Sequence, residues 1–284
     1  MDFSNNISDE VISLKSNKLL DRIISFIDYL VDNNIAIDMG QTNGEPLLNY
    51  TRVKYILDRV ISTKGISYDI LSSFAFDANN NYTKVIDLCK KFSELFSIYN
   101  INYCLRWSIH MEYFKNSQHI IKHYNRLTKT LHKSITPTIM LNQPRDITTY
   151  VLLKKIIPNI EYHLIVDADG KVPLMSKLSK NQIFHLKESN DYVRGSHVID
   201  RVMNNNFSFT GTKCHMPPLI NIDEAGRVFN CPNSYHQFYG NEKYIGNVFK
   251  LKNDEILAYA TPPESCPFQQ CNVCSSDTIH IKND

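Results

Sequence analysis

Val85-Ile-Asp-Leu-Cys-Lys-Lys-Phe-Ser-Glu-Leu-Phe96 is followed, four residues later, by Ile101-Asn-Tyr-Cys-Leu-Arg-Trp-Ser-Ile-His110. In the first run Val85, Ile86, Leu88, Phe92, Leu95 and Phe96 recur at the spacing of one helix face, while the second reads as a strand over 101–109. The same change of period repeats on both sides. Upstream, Leu20, Ile23, Ile24, Ile27, Leu30 and Val31 place an amphipathic helix over residues 16–33, with a short strand at 35–39. Val53, Ile56, Leu57, Val60 and Ile61 make another helix, stopped near Gly65, before a strand over 66–76. Downstream, a helix runs through Ile120, Ile121, Tyr124, Leu127 and Leu131, then a strand at 138–141. A short helix through Tyr150, Val151, Leu153, Lys154 and Ile157 precedes a last strand at 162–166. Such alternation predicts βαβ units and a parallel sheet, with sites in the loops at the carboxyl ends of its strands.

Composition bounds the rest. The chain has 284 residues, 43% hydrophobic and 21% charged, with a formal charge of +2. These values describe an ordinary globular protein and give no dominant nucleic-acid footprint. There is no bilayer-length apolar run and no secretory leader at Met1, so the expected setting is cytoplasmic, without a membrane or nucleic-acid partner. Residues 170–213 read as an irregular connector that shapes a substrate pocket.

Five of the seven cysteines fall in the last 71 residues, 214–284. Cys214 and Cys231 flank a β-hairpin formed by 219–222 and 227–229, with Gly226 in the turn. Cys271-Asn-Val-Cys274 follows, with Cys266 ahead of it as a fifth metal-ligand candidate. A Cys-x-x-Cys turn aims both sulfurs at one point, so the set marks a metal centre, which spacing leaves open between zinc and a [4Fe–4S] cluster. Cys89 and Cys104, at unrelated spacing in a helix and a strand, read as buried thiols with no ligand.

Together the alternation and the cysteine set resemble the radical SAM superfamily, in its SPASM/twitch-type subgroup. Asn43-Gly-Glu-Pro46 follows a strand and opens a helix, as does that family's Gly-Gly-Glu-Pro motif, with Asn43 replacing the first glycine. The resemblance assigns Asn43, Gly44, Glu45 and Pro46 to the amino group of S-adenosylmethionine. Ser108, within Ser108-Ile-His110, is assigned to the ligand's ribose or carboxylate. It assigns Cys214, Cys231, Cys271 and Cys274 to an auxiliary [4Fe–4S] cluster, which moves the preferred metal from zinc to iron–sulfur. The implied fold is α/β, a partial (β/α)6 TIM-like barrel over residues 1–170. A small cysteine-rich hairpin domain follows over 214–284, after a connector at 171–213.

The family's Cys-x3-Cys-x2-Cys loop is absent from the sequence, as is the strand that precedes it, and no catalytic residue is assigned. The favoured explanation is a truncated or misassigned product starting at an internal methionine, the others being a fragment completed by another polypeptide and a degenerate relative that kept the scaffold. The second-position strand is then expected to carry unpaired backbone groups and one hydrophobic face to lie uncovered, which together invite aggregation. With the missing segment supplied, the resemblance implies reductive cleavage of S-adenosylmethionine and hydrogen abstraction from a peptide or small-molecule substrate. A flavodoxin or ferredoxin would be the electron donor. The alternatives are a non-catalytic metal-stabilised binding protein and a zinc-ribbon interaction module on an α/β domain.

Overall fold

The structure is a computed structural model that describes residues 9–41, 46–74, 82–114, 116–131, 135–165, 174–189, 191, 219–230, 245–260 and 278–281. Its first part alternates α1 (Asp9–Asp32), β1 (Ile37–Gln41), α2 (Tyr50–Leu57), β2 (Ile66–Ser72), α3 (Tyr82–Ile98) and β3 (Asn102–His110). It continues through α4 (Ser117–Leu131), β4 (Ile135–Leu141), α5 (Pro144–Lys154) and β5 (Glu161–Leu164). All neighbouring pairs from β1 to β5 are parallel, in strict sequence order, and the sheet curls like half a barrel. Right-handed crossovers taken always in one direction put every connecting helix on the same face.

That face holds the core. Tyr68 of β2 and Tyr103 of β3 stack on Phe96 of α3, with ring centroids 5.2 and 4.9 Å apart. Trp107 of β3 meets His123 of α4 at 5.0 Å, and Tyr162 of β5 meets Tyr150 of α5 at 5.2 Å. Contacts of this kind contribute about 0.5–1.5 kcal/mol each beyond area burial. The Trp107 indole nitrogen also donates to the Ser73 carbonyl at 3.1 Å, so the ring's polar edge is satisfied in the core.

Local sequence sets the helix ends. α1 and α3 stop in the same way, on a left-handed asparagine: Asn34 at φ 57° and Asn100 at φ 53°. In each, the next residue's N–H reaches back five positions, Ile35 to Leu30 at 2.9 Å and Ile101 to Phe96 at 2.8 Å, which is a Schellman closure. The isoleucine then enters the following strand region. α5 begins with Pro144 after Gln143, and the Asp146 carboxylate accepts from the Asn142 and Gln143 N–H groups at 2.9 and 2.8 Å.

Several sequence expectations are corrected. α2 ends at Leu57, seven residues before the expected stop, because the Ile61 N–H is captured by the Asp28 carboxylate of α1 at 2.8 Å. Gly65, at φ 81°, therefore turns the chain into β2 and does not end a helix. β2 closes at Ser72, before Phe74 at φ 50°. The stretch read as a connector contains α6 (Lys180–Ser189), whose Leu186 carbonyl accepts from the buried Tyr162 hydroxyl at 2.7 Å. Its polar face hid that helix from the apolar pattern.

The hairpin is as expected: β6 (Leu219–Ile222) and β7 (Arg227–Phe229) are antiparallel, with Gly226 at φ 75°. A side chain at Gly226 would approach Phe249 and Val248 to 3.0 Å, so both space and backbone demand glycine. β8 (Gly246–Asn247) joins the far side of β7, and α7 (Asn253–Ala258) follows.

The expected open edge at β1 is closed. β9 (Thr278–Ile281) lies antiparallel between β1 and β6, giving one sheet ordered β5-β4-β3-β2-β1-β9-β6-β7-β8. The backbone groups of β1 thus find a partner within the same chain, which removes the unpaired strand edge as a cause of aggregation. Arg22 of α1 also ties the two ends of the sequence together. Its guanidinium donates to the Val248 carbonyl at 2.7 Å, to the Leu251 carbonyl at 2.8 Å and to the Asn253 side-chain oxygen.

Arg22→Ala should lower the unfolding free energy by about 2 kcal/mol, the scale of hydrogen bonds made by a charged donor. Urea unfolding would show a lower midpoint, and an unchanged midpoint would remove Arg22 from the stabilising contacts. His123 sets a pH dependence. Burial, with Arg126 and His119 nearby, lowers its pKa from 6.5 to about 3. The unfolded chain binds this proton below about pH 6.5 and the native chain does not, so stability falls on acidification between those values. The slope is about 1.4 kcal/mol per pH unit. His123→Phe should flatten that dependence in urea titrations at pH 7, 6 and 5.

Candidate functional site

Parallel sheets are normally apolar on both faces, because both are covered. This one is not. Along β2, Ile66, Tyr68, Ile70 and Ser72 are buried on the helix side, while Ser67, Asp69 and Leu71 alternate to the concave side. Along β3, Leu105, Trp107 and Ile109 are buried, and Cys104, Arg106, Ser108 and His110 face the other way. Strand register then assembles rows. Asp69 stands beside Cys104, Arg106 beside Thr136, Ser108 beside Thr138 and Glu161, and His110 beside Met140 and His163.

These side chains form a charged network. The Asp69 carboxylate accepts from Arg106 Nε at 2.9 Å and from the Cys104 thiol at 2.9 Å. Next to them, the Ser67 hydroxyl donates to Asp38 of β1 at 2.8 Å. Glu161 faces Arg106 from the next row, and burial raises its pKa against the opposing pull of that guanidinium. Desolvation first, then the Asp69 carboxylate, push the Cys104 thiol up to about 11, with Arg106 opposing. Burial also lowers the His110 pKa, leaving a neutral imidazole 3.7 Å from Glu112. The concave face can therefore offer a fixed cation, carboxylates, hydroxyls and a neutral imidazole to a polar ligand.

The sequence-derived site residues divide into two groups. Ser108 lies half-buried on this face, two residues from the carboxyl end of β3. Pro46 is buried at the start of a 3-10 turn, Pro46–Asn49, that follows β1. Both thus occur at the carboxyl side of the sheet, where ligands of such folds bind. Asn43, Gly44, Glu45, Cys214, Cys231, Cys266, Cys271 and Cys274 lie outside the described residues. Cys89 is buried as expected, but Cys104 is exposed, because the alternation of β3 turns it away from the core. Among the described residues, no three His, Cys, Asp or Glu side chains converge as a metal site. No helix among them is long and apolar enough to cross a membrane.

Asp69, Arg106, Thr138, Glu161 and His163 had not been singled out from the sequence. The signal was present in β3, where Cys104, Arg106, Ser108 and His110 interleave with Leu105, Trp107 and Ile109. No protein-family model matches this chain, and a search of curated proteins returns no match.

The Cys104 thiol should alkylate slowly for an exposed cysteine, since only the thiolate reacts. Asp69→Asn should accelerate its modification by iodoacetamide at pH 8.5, followed by mass spectrometry of the Cys104 peptide. An unchanged rate would show that Asp69 does not hold the proton on sulfur.

Proposed function

We propose that the chain is a radical SAM-type iron–sulfur protein whose curled parallel sheet receives S-adenosylmethionine at the carboxyl ends of β1 and β3. The observation that carries this reading is the pairing of a sequentially ordered parallel half-barrel with a polar inner face. Such a face needs a ligand or water to satisfy it, and Ser108 belongs to it by register. The Asn43–Pro46 motif follows directly on β1, with β2 between it and the strand of Ser108. Backbone carbonyls and a carboxylate at that point suit an ammonium group. Reaction chemistry on this reading is reductive cleavage of the adenosyl ligand and hydrogen abstraction from a peptide or small molecule. It requires a Cys-x3-Cys-x2-Cys segment that the printed sequence does not contain.

The thiol donor set fits a second cluster by its chemistry, since Cys thiolates are the ligands that such clusters take. Cys214, Cys231, Cys271 and Cys274 would hold the cluster, with Cys266 able to replace one of them. Bound there, a [4Fe–4S] group supplies one-electron redox capacity.

Anaerobic reconstitution tests the assignment. The expected result is about four irons and four sulfides per chain, with the brown chromophore lost in Cys214→Ser and Cys271→Ser and kept in Cys89→Ser. A full chromophore in Cys271→Ser would overturn the ligand set. A single bound zinc would favour the non-catalytic, metal-stabilised alternative.

A further inference from the structure

We propose that the last row of the concave face, His110, Met140 and His163, is a binding site for copper(I), held by two imidazole nitrogens and one thioether sulfur. This goes beyond the proposed function, since it needs neither an adenosyl ligand nor the cysteine set.

The three residues come from three strands, and register alone brings them together. His110 of β3 pairs with Met140 of β4, and Met140 with His163 of β5. Alternation puts all three on the concave side, because Ile109, Ile139 and Tyr162, which precede them or stand beside them in sequence, are buried on the helix side. The two histidines stand two strand spacings apart, about 10 Å between backbones. A sheet that curls toward this face tilts their long side chains inward over the central methionine. The row lies at the carboxyl end of the strands, where ligands of parallel α/β sheets bind.

Each imidazole is set to offer its Nε2. His163 is 8% exposed and holds Nδ1 2.8 Å from the Leu164 carbonyl. A carbonyl only accepts, so Nδ1 carries the proton and the lone pair of the neutral ring lies on Nε2. His110 repeats the pattern, with Nδ1 facing the Glu112 carboxylate at 3.7 Å and burial favouring the neutral ring. Metal-bound histidines are oriented in this way, with the second nitrogen turned to a carbonyl or carboxylate.

The donor set decides the metal. Among the described residues no third His, Cys, Asp or Glu converges with the pair. The third donor is therefore the Met140 sulfur, half-buried on this face. Zinc takes imidazole, thiolate and carboxylate ligands, while calcium and magnesium take oxygen. A thioether beside imidazoles is the soft set that suits copper(I).

Anaerobic titration of the full chain with copper(I) buffered by bicinchoninate tests this, with thiols first blocked by N-ethylmaleimide so that cysteines do not compete. One copper(I) per chain is expected. Met140→Leu and His163→Gln should each weaken binding by about a hundredfold, since even outer-shell partners of a metal are worth roughly 10–100-fold in affinity. His185→Gln, a change at an exposed histidine of α6, should leave it unaltered. Hydrogen peroxide added to the copper-loaded, unsubstituted chain gives a second reading that needs no variant to fold. Oxidation mapped by peptide mass spectrometry should concentrate on His110, Met140 and His163. No stoichiometric copper(I), an unchanged affinity in Met140→Leu, or oxidation centred elsewhere would each overturn the site. Copper(I) binding in a chain that takes up no iron–sulfur cluster would count against the proposed function and leave this inference standing.

Discussion

Handedness is the constraint on which the rest of the molecule depends. Each step from β1 to β5 moves one strand in the same direction, and parallel crossovers are right-handed as a rule. The helices therefore have no choice of face. The aromatic core follows them, which is why Tyr68, Trp107 and Tyr162 point the same way from three different strands. The opposite face is relieved of core packing, and its residues are free to be charged.

That freedom has an electrostatic cost that the structure meets locally. Arg106, which stands between two carboxylates, allows Asp69 and Glu161 to occupy one concave surface. The same arrangement keeps the Cys104 thiol protonated, because a thiolate beside Asp69 would be a second anion in a partly dry site. The helix side uses the opposite device. His123 is held neutral against Trp107 and Phe114, so a titratable ring serves as core filling.

Much of the architecture was legible because helix and strand periods alternate cleanly from Leu20 to Leu164. The exceptions have physical causes. α2 falls short because a tertiary contact, Asp28 to Ile61, competes with the next turn of helix. α6 escaped notice because only Leu186 of its residues is buried, so it carries hardly any apolar stripe. The polar face of the sheet was hidden for a different reason. Its members are two residues apart in each strand, but their association depends on register between strands, which no local pattern encodes. Glu161 meets Ser108 and Thr138 only because β4 and β5 align as they do. The closing of the β1 edge was likewise invisible, since Thr278–Ile281 is a four-residue strand with no helix or turn signal to mark it.

β9 carries a consequence for how the molecule is made. During synthesis α1 through β5 emerge and can assemble while the strand that seals β1 has not yet been translated. Joining the half-barrel to the hairpin is a long-range event, entropically slow compared with the local βαβ steps. The nascent chain thus spends its assembly with an unfinished border, which is completed only by residues translated long after β5.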